Sequence, residues 1–174
     1  HTRFKCDWSS DVCSSDLGGE EAPVGRFPYM CSLRSRGNRE HRCGGTLIRS
    51  QWVLTAAHCI DPTFRNAVGF NPIVDSGSVT DGYDVGLLKL ERESDVTLPA
   101  LDTYGAPLGA GDLLMALGWG STESQQTADT LQMAENLQYV LPARCRQELG
   151  DAYKEHMICA GLHTEDTCRG TSLL

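Results

Sequence analysis

From Gly18 onward, short apolar runs alternate with turns that contain glycine or proline, and this pattern restricts the fold more than any other feature. The runs are Phe27 to Leu33, Cys43 to Ile48, Trp52 to Thr55, Val85 to Leu90, Leu113 to Leu117 and Met157 to Ala160. Apolar runs of this length bounded by turn residues indicate strands. Arg49 to Gln51 joins two of them, which predicts a hairpin, and we expect Val85 to Leu90 to be buried throughout. Many short strands predict an all-β sandwich or barrel.

The second half of the chain adds one strand and one helix. Apolar residues recur on alternate positions at Leu131, Met133, Leu137 and Tyr139. A period of two predicts a half-buried strand. A proline at position 142 precedes residues 143–149, and proline favours the first position of a helix, so a short helix is expected there.

The first 17 residues differ from the rest. His1 to Leu17 has neither the strand period nor the helical one, and it resembles translated sequencing-adapter DNA. We therefore interpret residues 1–17 as a non-native leader and residues 18–174 as one domain. The alternative is a leader rich in Ser and Asp that is natively disordered.

Composition excludes several classes of function. Of 174 residues, 40% are hydrophobic and 22% are charged, which is typical of a soluble globular protein. The net charge of −8 argues against nucleic-acid binding, which needs a basic surface. No apolar run approaches the ~20 residues of a membrane span. Eight cysteines indicate disulfides and an oxidising compartment, although no signal peptide is visible; the two agree if the native N-terminus is missing.

The sequence from Thr55 to Cys59 carries the sharpest chemical signal. His58 precedes Cys59, and Cys43 lies 15 residues upstream of the histidine, so a Cys43–Cys59 disulfide could fix the loop that holds the imidazole. A loop of that length contributes ~3 kcal/mol in the chain-entropy model. A general base must be held in one orientation beside its partners, which favours a catalytic role for His58. A structural histidine is the alternative.

Several motifs occur together in one order between Gly18 and Gly170. They are Gly18 to Ala22, Phe27 to Met30, Cys43 to Ile48, Trp52 to Cys59, Tyr83 to Leu90, Gly118 to Gly120, Met157 to Gly161 and Asp166 to Gly170. This ordered set closely resembles the chymotrypsin-fold serine peptidases of the trypsin subgroup. The resemblance implies a fold of two β-barrels.

The same resemblance assigns a catalytic triad. It implies that His58 is the general base, that Asp84 is the buried carboxylate that fixes the histidine tautomer, and that Ser172 occupies the position of the nucleophile. Asp84 heads an apolar strand, where an unpaired carboxylate would be costly to bury. Its alternative reading is a turn residue after Gly82.

Substrate recognition is implied by the residues before Ser172. Gly170 and Ser172 match the two oxyanion donors, whose backbone N–H groups are each worth ~3 kcal/mol in the transition state. Asp166 lies six residues before Ser172, where the family carries the floor of its specificity pocket. An aspartate there implies cleavage after Arg or Lys. The alternative is a solvated loop acid beside Glu165.

The remaining cysteines fit the family in part. Cys145 and Cys159 match a disulfide that brackets a short helix, the partner of Cys168 would lie beyond residue 174, and Cys31 has no assigned partner. A string of possible zinc ligands runs through His156, Cys159, His163 and Cys168. Its spacing is not a standard one and disulfides explain the cysteines better, so we expect neither metal nor cofactor.

Three departures from the family pattern stand out. Thr171 and Leu173 replace an Asp and a Gly around Ser172, and Asp16-Leu17 replaces the Ile-Val of an activated N-terminus. Only 26 residues separate His58 from Asp84, against about 45 in the family. We therefore expect a shortened first barrel, with residues 67–80 joining across the gap; the alternative is an assembly error in the sequence at this join. We also expect a truncated second barrel and an inactive, aggregation-prone fragment.

Together with the cysteine content, the resemblance implies a secreted, monomeric serine endopeptidase that cleaves proteins or peptides after Arg or Lys through an acyl-enzyme. Protein protease inhibitors are further expected partners, whereas nucleic acids and membranes are not. A vacuolar location is an alternative to the extracellular one. A catalytically dead, peptidase-like binding protein is the alternative function, because a protease scaffold can serve recognition alone.

Overall fold

A computed structural model describes residues 19–35, 40–60, 84–102, 105, 107–120, 128–155 and 157–161, and the backbone of 67–70. The strands are β1 (Glu20–Glu21), β2 (Met30–Arg34), β3 (His41–Arg49), β4 (Trp52–Thr55), β5 (Ala67–Phe70), β6 (Gly86–Lys89), β7 (Leu113–Gly118), β8 (Gln132–Val140) and β9 (Cys159–Gly161). Within these ranges the helices are α1 (Pro142–Leu149) and two 3₁₀ turns, Ala57–Cys59 and Gly150–Ala152. The chain forms two compact units, one of residues 23–105 and one that joins residues up to 22 with those from 106.

The unit of residues 23–105 contains a five-stranded antiparallel sheet in the order β2-β3-β4-β6-β5. Leu47, Val53 and Leu88, one residue from each of β3, β4 and β6, are buried and form its core. In β4 and β6 buried residues alternate with more exposed ones, as expected when one face of a sheet is covered. Tyr29, Leu33 and Ile60 are among the half-buried residues that pack against this core.

The other unit contains a four-stranded antiparallel sheet in which β8 pairs with β1, β7 and β9. Ala116, Ala134 and Leu137 form one buried cluster, and Val140, Cys145, Tyr153 and Cys159 form a second one. Helix α1 belongs to the second cluster through Cys145, and it begins with Pro142 in its first turn. Proline suits that position because its missing N–H would have no helical partner there.

The structure confirms the predicted all-β class, with two separate antiparallel sheets as the two-barrel fold requires. The hairpin of β3 and β4 is present, with Thr46 opposite Leu54. Helix α1 falls where it was predicted. None of the helices in the described ranges is long and apolar enough to cross a membrane.

Some boundaries and patterns differ from the prediction. Val85 is 49% exposed and precedes β6, and burial alternates within that strand, so a fully buried run from Val85 was wrong. The cause is that only one face of β6 meets the core. The first predicted strand begins at Met30 and the last one ends at Gly161.

Strand β8 does not keep a single period of two. Ala134 and Leu137 share one buried cluster although they are three residues apart. The register shifts between the pairs Leu114–Leu137 and Ala116–Ala134, and Asn136 has a positive φ of 60°. An extra residue in one strand forms a bulge and changes which side chains face the core.

Strand β5 occupies the start of the segment predicted as a join across a gap. It pairs antiparallel with β6, at the edge of the five-stranded sheet. The rest of that segment, residues 71–80, lies outside the described residues, as does the leader 1–17. The length of the first barrel therefore stays a prediction.

Candidate active site

His58 is carried by a single 3₁₀ turn that directly follows β4. Ala56 is still extended, with φ −71° and ψ 145°, and the turn Ala57–Cys59 begins after it. The N–H of Cys59 donates to the carbonyl of Ala56 at 3.1 Å, and the N–H of Ile60 donates to that of Ala57 at 3.0 Å. These two bonds fix the backbone on both sides of the imidazole.

The pairing of β4 with β6 explains why two residues 26 positions apart meet. Thr55, at the end of β4, lies opposite Gly86, at the start of β6. In an antiparallel pair the end of one strand adjoins the start of the other. His58, three residues after Thr55, therefore lies beside Asp84, two residues before Gly86.

Both carboxylate oxygens of Asp84 accept hydrogen bonds from His58. Oδ2 lies 2.5 Å from the ring Nδ1, and Oδ1 accepts the backbone N–H of His58 at 2.8 Å. An ionised carboxylate only accepts hydrogen bonds, so Nδ1 must carry the proton. The lone pair then lies on Nε2, which is the nitrogen that can take up a proton.

The pair is partly open to solvent. The side chain of His58 is 44% exposed and that of Asp84 is 18% exposed. Asp84 is thus less buried than the sequence analysis expected, because it lies before the first residue of β6 rather than within the sheet. Its two bonds to His58 nevertheless distinguish it from an ordinary turn acid.

A disulfide and a hydrogen bond connect residues 55–59 to β3. Cys59 forms a disulfide with Cys43, as predicted. Thr55 is fully buried, and its Oγ1 donates to the carbonyl of Gly44 at 2.7 Å. The sequence analysis treated Thr55 only as part of a motif. Its signal was a hydroxyl residue at the end of an apolar strand, where a buried donor needs a partner.

The second predicted disulfide, Cys145–Cys159, is also present and joins α1 to β9. Cys31 is not in a disulfide, and its thiol donates to the carbonyl of Tyr29 at 3.6 Å. Burial raises the pKa of the Cys31 thiol, partly opposed by a backbone hydrogen bond from Leu47. Cys31 is therefore held in its protonated, less reactive form.

One group of metal-ligand types occurs in the described part of the chain, formed by Cys43, His58 and Cys59. Its two sulfurs are bonded to each other, so they have no thiolate to offer a metal. In the zinc-type string, Cys159 is disulfide-bonded, and the other members His156, His163 and Cys168 lie outside the described residues.

The remaining predicted site residues also fall outside the described ranges. These are Asp166, Gly170 and Ser172. Of the predicted triad, the structure thus brings together His58 and Asp84. The described residues also include a serine–histidine contact that the sequence analysis did not single out. Ser32 Oγ lies 2.9 Å from His41 Nδ1, across the β2–β3 pair.

Comparison with known proteins places these observations in a family. Residues 16–172 match the family described as Trypsin. Chymotrypsin-like elastase family member 1 of Homo sapiens is 38% identical over 176 residues, with 83% of this chain and 68% of that protein covered. The same protein of Rattus norvegicus is 34% identical over 176 residues, with 83% of this chain and 66% of that protein covered. Trypsin 5G1 of Aedes aegypti is 32% identical over 187 residues, with 90% of this chain and 68% of that protein covered.

Proposed function

Because the chain belongs to the trypsin family of serine peptidases, we propose that the protein is a serine endopeptidase with His58 as its general base. The observation that carries the proposal is the two-point contact between His58 and Asp84. This contact supports a fixed ring orientation and a proton-accepting Nε2, which a general base needs. The chain spans about two thirds of the length of the relatives compared, so the activity is proposed for the whole protein.

The proposed mechanism is acyl transfer through Ser172. The Oγ of Ser172 attacks the carbonyl carbon of the substrate while His58 Nε2 takes up its proton, and the same proton then passes to the leaving amine. Water then attacks the carbonyl carbon of the acyl-enzyme while His58 takes up its proton, and this proton passes to the Oγ of Ser172 as the acid product leaves. Asp84 holds the tautomer and stabilises the imidazolium that forms in each step. The backbone N–H groups of Gly170 and Ser172 are proposed to stabilise the oxyanion.

We propose cleavage after Arg or Lys on the strength of Asp166. A carboxylate at the floor of the pocket complements a cationic side chain, whereas elastases have a small pocket in its place. The elastase names among the relatives favour a different preference, for small side chains. We nevertheless favour Arg or Lys because of Asp166. A carboxylate at that position would be unpaired when an aliphatic side chain fills the pocket, and burying an unpaired charge is costly.

The disulfides favour an extracellular protein, since such bonds persist in oxidising compartments. Around Ser172, Thr171 and Leu173 replace the Asp and Gly of the family pattern. We therefore expect a polypeptide with this local sequence to be inactive, and the reference protein of every experiment below, called the wild type, is the full-length protein with Thr171→Asp and Leu173→Gly. The same two residues favour a second candidate function, a binding protein that keeps the peptidase scaffold without catalysis.

A panel of peptide anilides with Arg, Lys, Ala, Val or Phe at P1 tests the proposal on the full-length protein. We expect the highest kcat/KM with Arg or Lys, and Asp166→Ser should lower it by about 30-fold or more, the loss of about 2 kcal/mol that an unpaired charge causes. Asp95→Asn, at an exposed position, is the matched control. A preference for Ala or Val would reject the specificity but keep the endopeptidase. Hydrolysis of none would favour the binding protein.

A further inference from the structure

Strand β6 begins with a glycine that lies against the turn carrying His58. A Cβ atom built on Gly86 would overlap Cδ1 of Ile60. It would also lie 3.2 Å from Cγ1 of Ile60 and 3.3 Å from Cα of Ala57. These distances are shorter than carbon atoms adopt in ordinary contact, which is about 3.5–4.0 Å. The position therefore has no room for a side chain.

The neighbours of Gly86 are the residues that bracket His58. Ala57 is buried and begins the 3₁₀ turn, and Ile60 ends it through its N–H bond to the Ala57 carbonyl. Ile60 also packs against the core of the sheet. The terminal Cδ1 can rotate away from a new methyl group, whereas the Cα of Ala57 can move only with the backbone that carries His58.

The requirement at Gly86 is one of space. Its φ does not lie in the left-handed region, which holds four other glycines of the described chain. An alanine could adopt the backbone conformation of Gly86, and alanine costs less conformational entropy than glycine in a strand. The methyl group of alanine, however, would occupy the space that Ile60 and Ala57 fill against Gly86.

We propose that Gly86 is a positioning residue, whose missing side chain lets the turn Ala57–Cys59 rest directly on β6 and so holds His58 against Asp84. Asp84 lies two residues before Gly86 on the same chain segment, and Gly86 pairs with Thr55 across the sheet. Gly86 thus sets the distance between the segment that carries His58 and the segment that carries Asp84. The inference rests on the proposed function of His58.

The first test is kinetic and uses the full-length protein. Gly86→Ala should lower kcat by about 10-fold and change KM by less than twofold, because a shift of a few tenths of an ångström acts on the base rather than on substrate binding; misplacement by 1 Å can cost ~10²-fold. Adding Ile60→Val removes the overlapping Cδ1, so the double variant should recover at least about threefold of that loss. Gly109→Ala, whose Cβ would meet only Asp112 Oδ2 at 3.9 Å, is the control and should match the wild type.

The second test does not depend on catalysis. The Nδ1 proton of His58 gives a proton NMR signal that reports its bond to Asp84, and His58→Gln identifies it. We expect Gly86→Ala to shift this signal and the double variant to move it back. Wild-type kcat, or a lower kcat with an unshifted signal, would overturn the inference. If the wild type hydrolyses no peptide, the proposed function fails, but the signal still reports whether Gly86 positions the ring.

Discussion

The exchange Asp84→Asn isolates the part that the carboxylate plays, because it keeps the shape of the side chain and removes its charge. The two oxygens of Asp84 accept from the backbone N–H of His58 at 2.8 Å and from its Nδ1 at 2.5 Å. An amide has one oxygen and one NH₂ group, so it can accept only one of these bonds. The backbone N–H cannot change its role, and therefore it keeps the oxygen.

The NH₂ group of the asparagine would then face Nδ1 of His58. A donor in that position requires Nδ1 to become the acceptor, and the ring proton moves to Nε2. The nitrogen that should take the proton from the nucleophile would already carry one. We expect kcat to fall about 10⁴-fold, the loss that this exchange causes in other Ser–His–Asp peptidases. That corresponds to about 5.4 kcal/mol in the activation free energy, at 1.36 kcal/mol for each factor of ten.

The assay is steady-state hydrolysis of the best peptide anilide by the full-length protein, wild type and variant. Asp95→Asn makes the same chemical change at an exposed position in the same unit and should leave kcat within twofold. Equal unfolding midpoints for the two variants would exclude a folding defect. If Asp84→Asn kept kcat within about 10-fold of the wild type, the reasoning on the tautomer would be refuted.

Three further predictions concern stability, read from the urea dependence of the unfolding free energy. Replacing both Cys43 and Cys59 by alanine should cost ~3 kcal/mol, because the unfolded chain loses a cross-link; an unchanged midpoint would contradict this. Leu137→Ala should lower the unfolding free energy by ~2–5 kcal/mol because the side chain is 2% exposed. Leu141→Ala, at a position 47% exposed, should change it by no more than about 0.5 kcal/mol, and similar losses for the two variants would reject the assigned core. Asn136→Val should cost roughly 1–2 kcal/mol because φ is 60°, and Asn136→Gly should be tolerated; the reverse order would refute the bulge.

The features that sequence predicted well depend on residues close together in the chain. The hairpin of β3 and β4, the helix after Pro142 and the disulfide beside His58 all arise from short-range patterns. Two apolar runs joined by a short turn, a proline at the helix start and a cysteine next to the histidine each carry enough local signal.

Other features depend on contacts that no local pattern shows. The exposure of Val85 follows from where the pairing of β6 begins, at Gly86, and this point is set by its partner Thr55 in β4, 31 residues earlier. The bulge at Asn136 depends on the register against β7, and it broke the predicted period. The crowding around Gly86 needs the turn and the strand together. The roles of Asp166, Gly170 and Ser172 rest on resemblance, since these residues lie outside the described ranges.

Labelling of the full-length protein with a serine-reactive fluorophosphonate tests the central claim most directly. The reagent bonds to a serine whose proton is removed by a neighbouring base, so we predict modification at Ser172 by peptide mapping. His58→Gln should abolish the labelling, while His41→Gln, which changes a histidine that contacts Ser32, should not. Absence of labelling in the wild type, or equal labelling after loss of His58, would contradict the assignment of His58 as the base of a serine endopeptidase.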